Sequence, residues 1–250
     1  MNEMKADIGA KTGDALLIID VQVDFCPGGA LAIQEGDQVV PVINEWIQTA
    51  LERRVPICAS RDWHPGQHIS FQDEGGNRPP HCLQDSKGAF FHEDLALTDQ
   101  TVIITKGVRF DKDQHSVFDE TGFDAFLKRQ GIERLLICGL ALDECVLATA
   151  MDARKLGFGV HLILDGTRPV DYHNGFEAVE KMKSAGVVMH GSFHAPKPEE
   201  KGYGSTETAL DISEEIPVCT KAPEWAEHER LEDDDQPCDD GRTGKLDRDG

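Results

Sequence analysis

The stretch RLLICGLALDECVLATAMDARKLGFGVHLILD, residues 134–165, decides the fold class. It begins with an apolar run (134–139), continues through a window with helical spacing (143–157) and ends with a second apolar run (159–165). Short and nearly continuous apolar runs are typical of strands that are buried on both faces. A helical window between two such strands predicts a parallel β-α-β unit.

The same alternation extends from residue 15 to residue 190. Further strand-like runs are ALLIID (15–20), VPICAS (55–60), TVIITK (101–106) and, as a candidate sixth strand, VVM (187–189). Further helical windows are DQVVPVINEWIQTALERR (37–54), DETGFDAFLKRQG (119–131) and HNGFEAVEKMKSAG (173–186). We therefore predict an α/β fold, a doubly wound and mostly parallel sheet of five to six strands with helices on both faces.

The charge balance excludes several classes of partner. The 250 residues include 46 Asp and Glu against 25 Lys and Arg, a formal net charge of -21. Such a chain repels nucleic acid and anionic membrane surfaces, so neither is expected as a partner. No apolar run approaches the roughly 18 to 20 residues that span a bilayer. The first residues, MNEMKADIGAK, lack the apolar segment of a secretory signal, so the expected location is the cytoplasm.

The charge also predicts the domain organisation. We expect one folded domain over residues 1–196 and an acidic tail over residues 197–250, which holds 17 acidic and 7 basic residues. The tail has no sustained apolar period, so it cannot bury enough surface to offset the entropy of ordering. We predict that it is largely disordered, docked at most locally through Trp225, and that it serves solubility, with an interaction segment as the alternative.

Four residues of complementary chemistry follow the first four predicted strands. Asp20 closes the first strand, Asp62 lies two residues past the second, Lys106 closes the third, and Cys145 follows the fourth at the start of a helix. The carboxyl ends of parallel strands meet at one edge of a sheet, where ligands bind. We therefore expect these side chains to meet, although each alone has an ordinary structural explanation as a cap, an ion pair or a buried thiol.

Together these residues favour acyl transfer. A helix start favours the thiolate of Cys145, Asp20 can accept the thiol proton, and Lys106 can stabilise the resulting charge. Backbone N–H groups of Cys145 and Ala141 can stabilise an oxyanion. The pattern predicts hydrolysis of an amide through a thioester. Thiol redox sensing is a weaker alternative, since no partner cysteine can be identified from the spacing.

The long connection over residues 61–95 carries a candidate metal site. Asp62 and His64 project the same way from an extended segment, and His68 or His81 can complete the ligand set. Zinc comes first, with iron and manganese as alternatives, while a set of hydrogen-bonding loop residues without a metal remains open. Cys82 directly follows His81, so we expect it to point away from the site.

These motifs resemble those of the nicotinamidases in the isochorismatase-like cysteine hydrolase superfamily. The resemblance covers residues 15 to about 190, and the motifs that carry it are DVQVDF (20–25), DWHPGQHISF (62–71), PPHC (79–82), GAFFH (88–92), KG (106–107) and GLALDECV (139–146). It implies a three-layer sandwich fold and the conversion of nicotinamide to nicotinate and ammonia in NAD salvage. The segment from 62 to 71 is its most specific part.

The resemblance also implies roles for individual residues. Asp20, Lys106 and Cys145 would form the catalytic triad, and the oxyanion hole would fall on Ala141 and Cys145 after a cis peptide at Leu140-Ala141. A divalent metal that holds the pyridine nitrogen of the substrate would be bound by Asp62, His64 and His81, with His68 as a further ligand or a neighbour of the ligands.

Three positions are expected to line the substrate pocket. Phe25 supplies an apolar wall, as the resemblance implies. Arg78 stands where many members of the family have Trp, and His115 stands where they often have Tyr. These two departures leave the acyl-transfer residues unchanged but alter the surroundings of the substrate ring.

Two other functions remain open. The chain could be a different small-amide hydrolase of the same superfamily, although most such relatives lack the Asp-x-His pair. It could also be a noncatalytic metal-binding or partner-binding protein that uses the acidic tail. A homo-oligomer is compatible with the sequence and is not required by it.

Overall fold

The computed structural model describes residues 10–192. It contains six strands and four α-helices. The strands are β1 (Asp14–Ile19), β2 (Ile57–Asp62), β3 (Val102–Lys106), β4 (Arg134–Leu140), β5 (Gly159–Arg168) and β6 (Val188–His190). The helices are α1 (Val39–Arg53), α2 (Phe123–Arg129), α3 (Leu147–Lys155) and α4 (Tyr172–Ser184).

The strands form one all-parallel sheet in the order β3-β2-β1-β4-β5-β6. The order reverses between β1 and β4, so the ends of β1 and β4 flank the crevice where ligands bind in doubly wound sheets. The predicted α/β architecture is confirmed, and the short run near residue 188 does form the sixth strand.

Helices cover both faces of the sheet. Leu16 and Ile18 point to the face covered by α1, while Leu17 and Ile19 point to the face covered by α2, α3 and α4. All four side chains are fully buried, because successive residues of a strand alternate between two covered faces. This double burial explains why the strands appear in the sequence as continuous apolar runs.

Helix ends follow the glycine signals of the sequence. The residues that follow α2, α3 and α4 include Gly131, Gly157 and Gly186, all with positive φ. A glycine adopts this left-handed conformation without a Cβ clash, so it ends a helix cleanly. Within residues 10–192 no helix is long and apolar enough to cross a bilayer.

The long connection between β2 and β3 is ordered. It contains two short 3-10 helices, Gln72–Glu74 and Lys87–Ala89, and it folds back on itself through backbone hydrogen bonds. The His64 N–H donates to the Cys82 carbonyl at 2.8 Å, and the Gln84 N–H donates to the His64 carbonyl at 2.9 Å. This pairing places His64 beside His81. The predicted tail at 197–250, including Trp225, and the domain boundary before it lie outside the described residues.

Candidate active site

The strand register assembles the centre of the site. The sequence predicted that Asp62 lies in the loop, two residues past the second strand. In the structure it is the last residue of β2, and it pairs with Lys106 at the end of β3. Asp20 directly follows β1, and Cys145 follows β4 within one π-helical turn, Leu142–Val146, that leads into α3. The four residues therefore lie at one edge of the sheet, as the sequence predicted.

Lys106 contacts each of the other three residues of this cluster. Its Nζ lies 2.8 Å from Asp20 Oδ2, 2.6 Å from Asp62 Oδ1 and 3.4 Å from Cys145 Sγ. The side chain is fully buried. Burial alone would lower the pKa of Lys106, but the two carboxylates raise it well above its usual value. The ammonium therefore stays charged and holds the carboxylates and the sulfur together.

The two carboxyl groups differ in their affinity for a proton. Burial raises the pKa of Asp20 above its ordinary value and outweighs the Lys106 ammonium, while Asp62 adds a like charge. Burial opposes ionisation of Asp62 as well, but Lys106 and then His64 bring its pKa below the ordinary value. Because Asp62 holds the charge, Asp20 is the carboxyl group suited to accept and return a proton.

Cys145 differs from the sequence expectation. The residue is 8% exposed, and burial raises the pKa of the thiol well above its usual value despite the nearby Lys106 ammonium. The expected thiolate at a helix start is thus wrong for the resting site. The π-helical turn, not a first α-helical turn, carries the residue, and apolar neighbours desolvate the sulfur. Any nucleophilic reaction of Cys145 must therefore include removal of its proton.

Two buried residues support the carboxylates and were not singled out by the sequence. The Ser60 hydroxyl donates to Asp20 Oδ1 at 2.7 Å. The Gln22 amide donates to the Asp62 carbonyl at 2.8 Å and its Oε1 accepts from the Asp62 N–H at 2.7 Å. Ser60 was open to inference, because it lies two residues before Asp62 on the extended chain of β2 and so shares its face. Gln22 was not, because Asp20 has a φ of +46° and the chain turns between these two residues.

Three of the predicted metal ligands come together beside the Lys106 cluster. Ligand atoms of Asp62, His64 and His81 all lie within 4.8 Å of one another, and all three residues are buried. His64 Nδ1 lies 2.8 Å from the Gly107 carbonyl oxygen and His81 Nδ1 lies 2.8 Å from the Pro79 carbonyl oxygen. Carbonyl partners at Nδ1 fix the tautomer that leaves Nε2 as the ligand atom.

His68 lies beside this group but is not among the three residues whose ligand atoms come within 4.8 Å of one another. Its ring centroid lies 4.1 Å from that of His64, and its Nδ1 lies 2.8 Å from Ser70 Oγ. The Nε2 atom is buried and has no hydrogen-bond partner within the described range of residues. An orphaned ring nitrogen beside two other imidazoles and a carboxylate fits a divalent metal, because a bound ion would satisfy it.

The protonation of the imidazoles fits the same interpretation. Burial lowers the pKa of His64 to about 4, and it also lowers the pKa values of His68 and His81. The rings are therefore neutral near pH 7, the form in which histidine binds metals. Cys82 is buried in the core and is not among the grouped ligands, in agreement with its expected orientation.

A small cavity of about 20 Å³ connects the two clusters. Phe25, Arg78 and His115, the three predicted pocket residues, line it together with Cys145 and Ala141. The Leu140-Ala141 peptide is cis, as the resemblance implies. The next turn closes onto the Ala141 carbonyl, which accepts from the N–H groups of Glu144 and Val146, both at 3.1 Å.

Charged side chains line the mouth of this cavity. Arg78 forms an ion pair with Glu144 at 3.1 Å, and His115 lies 3.5 Å from the same carboxylate and 3.2 Å from that of Asp113. The contact with Asp113, helped by Glu144, raises the pKa of His115 above 6.5. Glu144 and Asp113 were missed in the sequence, where nothing but proximity to Cys145 and His115 marks them.

The arrangement can perform acyl transfer next to a candidate metal site. Cys145 lines the cavity together with His64 and His81, two imidazoles of the long connection. Lys106, whose Nζ lies 3.4 Å from the sulfur, joins Cys145 to Asp20, the carboxyl group with a raised pKa. These are the groups that covalent hydrolysis of an amide requires.

Comparison with known proteins agrees with this chemistry. A nicotinamidase of Escherichia coli is 36% identical over 199 residues, which cover 70% of this chain and 93% of that protein. A pyrazinamidase of Pyrococcus horikoshii, solved in complex with zinc, is 42% identical with a TM-score of 0.69, covering 71% of this chain and 98% of that one. PnC1 of L. infantum, solved with nicotinate, is 40% identical with a TM-score of 0.65, covering 72% and 93%.

The family match spans nearly all described residues. Residues 14–192 match the model of the isochorismatase domain, from the first residue of β1 to the end of the described chain. With the sheet order, the Lys106 cluster and the relatives above, the match leads to one conclusion: the chain belongs to the isochorismatase family.

Proposed function

We propose that the protein is a metal-dependent nicotinamidase that converts nicotinamide to nicotinate and ammonia through a thioester on Cys145, a reaction of NAD salvage. The observation that carries the proposal is the position of Lys106 Nζ, 2.8 Å from Asp20 and 3.4 Å from the Cys145 sulfur, beside the imidazole cluster. The nicotinamidase of Escherichia coli and the nicotinate-bound PnC1 of L. infantum support the same substrate.

The first half of the reaction forms the thioester. Asp20 takes the proton of the Cys145 thiol while the sulfur bonds to the carboxamide carbon, and Lys106 stabilises the charge that develops on the sulfur. The carbonyl oxygen becomes an oxyanion, for which the N–H groups of Ala141 and Cys145 are the proposed donors. Asp20 then gives its proton to the amide nitrogen, the C–N bond breaks, and ammonia leaves.

The second half regenerates the thiol. Asp20, again a carboxylate, accepts a proton from a water molecule as the water oxygen bonds to the thioester carbon. The C–S bond breaks, the proton returns from Asp20 to the sulfur, and nicotinate is released. The raised pKa of Asp20 suits this alternation, because a carboxyl group with a higher proton affinity serves better as a base and then as an acid.

Asp62, His64 and His81 are the residues that would hold a divalent metal, with His68 as a fourth candidate. Zinc is the proposed ion, in keeping with the zinc complex of the Pyrococcus relative, and iron and manganese are the alternatives. When bound, the metal supplies a Lewis acid for the pyridine nitrogen of the substrate. Asp62 also holds Lys106, so it connects the metal ligands with the reacting groups.

A direct assay tests the proposal. Purified protein should release ammonia and nicotinate from nicotinamide in equal amounts, and Cys145→Ala should remove this activity while leaving the unfolding transition within about 1 kcal/mol of wild type. Elemental analysis of protein purified without added metal should find about one divalent ion per chain. Absence of ammonia release by metal-loaded wild-type protein would overturn the assignment.

A second candidate function is hydrolysis of another small carboxamide. The Arg78–Glu144 ion pair and His115 favour it, because they make the mouth of the cavity charged where the resemblance leads one to expect aromatic rings. Comparing kcat/KM for nicotinamide, pyrazinamide and aliphatic amides distinguishes the two. A preference for an aliphatic amide would replace nicotinamide as the substrate and retain the reaction.

A further inference from the structure

A second cavity adjoins the one beside Cys145. It has a volume of about 220 Å³, and it is lined mainly by apolar side chains, among them Leu31 and Ala32. Both cavities share five lining residues: Phe25, Ile33, Arg78, Glu144 and Val170. The cavity beside Cys145 is called the reaction cavity below, and the larger one is called the side cavity. The shared residues form the wall between them.

Among the five shared residues, the two polar ones, Arg78 and Glu144, form an ion pair. Arg78 Nη2 lies 3.1 Å from Glu144 Oε2, and the two side chains are 25% and 34% exposed. Their backbones are held in place: the Arg78 N–H donates to the Ser70 carbonyl at 3.1 Å, and the Glu144 N–H donates to the Ala141 carbonyl at 3.1 Å. The side chains can therefore separate by rotation while the main chain stays fixed.

Hydrogen bonds and a second ion pair hold the other segments around the side cavity in place. Asp143 accepts from the N–H groups of Val170 and Asp171 at 2.8 and 3.1 Å, which fixes the segment after β5 against the turn that carries Cys145. Arg168 forms an ion pair with Glu35 at 3.4 Å, which holds the segment that contains Ile33 against the end of β5. The Arg78–Glu144 pair, by contrast, joins two partly exposed side chains, and the Glu144 carboxylate also lies 3.5 Å from His115.

The reaction cavity is narrow in this state. Its volume of about 20 Å³ is close to the space of one water molecule, against about 220 Å³ in the side cavity. Separation of Arg78 from Glu144 joins the reaction cavity to the side cavity, because both residues line both spaces. Space for a ring, and for an apolar group attached to it, then becomes continuous with Cys145.

We propose that the Arg78–Glu144 ion pair is a gate between the two cavities and determines substrate range: when it opens, the side cavity accepts an apolar substituent on the ring of an aromatic carboxamide. The inference rests on the proposed amidase function and names its substrate class, ring-substituted pyridine carboxamides besides nicotinamide itself. Phe25, Ile33 and Val170 provide the apolar contacts for such a substituent.

The test compares Arg78→Met and Glu144→Gln with wild type on nicotinamide and on nicotinamides that carry an ethyl group at ring carbon 5 or 6. Each variant removes the ion pair and keeps the length of the side chain. Because a closed gate competes with the substrate, each should lower KM, by up to about fivefold for an exposed pair of about 1 kcal/mol. We expect the lower KM to be most evident with an ethyl derivative.

Three controls make the result specific. The double variant should change KM by less than the product of the two single effects, because both single variants cut the contact between Arg78 and Glu144, although Glu144→Gln also removes the contact with His115. Lys128→Met, which removes an exposed ion pair with Asp124 on α2, should leave KM unchanged. Raising the salt concentration should lower KM for wild type, because salt weakens the ion pair. It should not lower KM for Arg78→Met, in which the pair is absent.

The outcomes separate the gate from the function. If wild-type protein hydrolyses no carboxamide, the proposed function fails. If it hydrolyses nicotinamide, but the gate variants change neither KM nor the ratio between ethylated and plain nicotinamide, the gate is refuted. A higher KM in both variants also refutes it, because the side chains would then bind substrate instead of excluding it.

Discussion

Substitution of Gly107 by alanine should disrupt the imidazole cluster selectively. Gly107 directly follows Lys106, has a φ of +68° and receives the His64 imidazole on its carbonyl oxygen at 2.8 Å. A Cβ atom at this position would lie 2.4 Å from His64 Cε1 and 2.6 Å from its Nδ1. Ordinary van der Waals contact begins at 3.4 Å, so the buried ring must withdraw by about 1 Å.

The expected magnitude has two parts. An alanine held at a left-handed φ costs about 1–2 kcal/mol of stability. Displacement of His64 breaks its hydrogen bond to the Gly107 carbonyl and leaves a buried polar group unpaired, which costs about another 1–3 kcal/mol. Metal affinity should fall by at least about 10- to 100-fold, because ligand positions in metal sites tolerate deviations of only about 0.2 Å.

Gly131 provides a matched control, since it has the same φ of +68° and a Cβ there would have no neighbour within 4 Å. Gly131→Ala should show the backbone cost alone and keep its metal. The assay is urea unfolding of both variants with and without a chelator, together with elemental analysis. Equal losses of stability and equal metal contents in the two variants would refute the proposed contact between residue 107 and the metal ligands.

Three further substitutions test the reacting groups. Asp20→Asn should lower kcat by about 10²- to 10⁴-fold, because an amide cannot accept the thiol proton, and near-normal turnover would exclude Asp20 as the base. Ser60→Ala removes the hydroxyl that lowers the pKa of Asp20, so the rise of kcat/KM with pH should move to higher pH, and an unchanged midpoint would contradict the assignment. His115→Gln should destabilise the protein by less than about 1 kcal/mol below about pH 6.5 and not at alkaline pH, measured by urea unfolding. The pKa of His115 is raised in the folded protein, so its stabilising contribution is complete below the unfolded value of 6.5 and lost as pH rises through the folded value; a loss confined to alkaline pH would reverse this reasoning.

The sheet could be predicted because the physical cause of its pattern is local. Every strand is covered on both faces, so each one appears as a continuous apolar run whatever its partners are. The end of β2 was harder to place, since Arg61 and Asp62 do not have apolar side chains. They belong to the strand because they pair with Thr105 and Lys106 of β3. The sequence of β2 alone does not reveal this pairing.

The chemistry of the site was predictable by residue type but not by protonation state. Asp20, Lys106 and Cys145 follow from their positions at strand ends. The direction of the Cys145 pKa does not, because a helix start and Lys106 favour the thiolate while burial favours the thiol, and only the packed structure shows that burial is larger. The ion pair of Glu144 could not be predicted either, because its partner Arg78 lies 66 positions earlier in the chain and only the fold brings the two side chains together.

Asp62 explains why two motifs that are separate in the sequence form one site. Its Oδ1 lies 2.6 Å from Lys106 Nζ, while its Oδ2 lies 3.8 Å from His64 Nε2. The carboxylate therefore faces the acyl-transfer residues with one oxygen and the imidazoles with the other. Because Lys106 lowers the pKa of Asp62, the same ammonium that stabilises the sulfur also keeps a metal ligand ionised. Loss of Lys106 should consequently impair metal binding as well as turnover, a coupling that neither motif alone indicates.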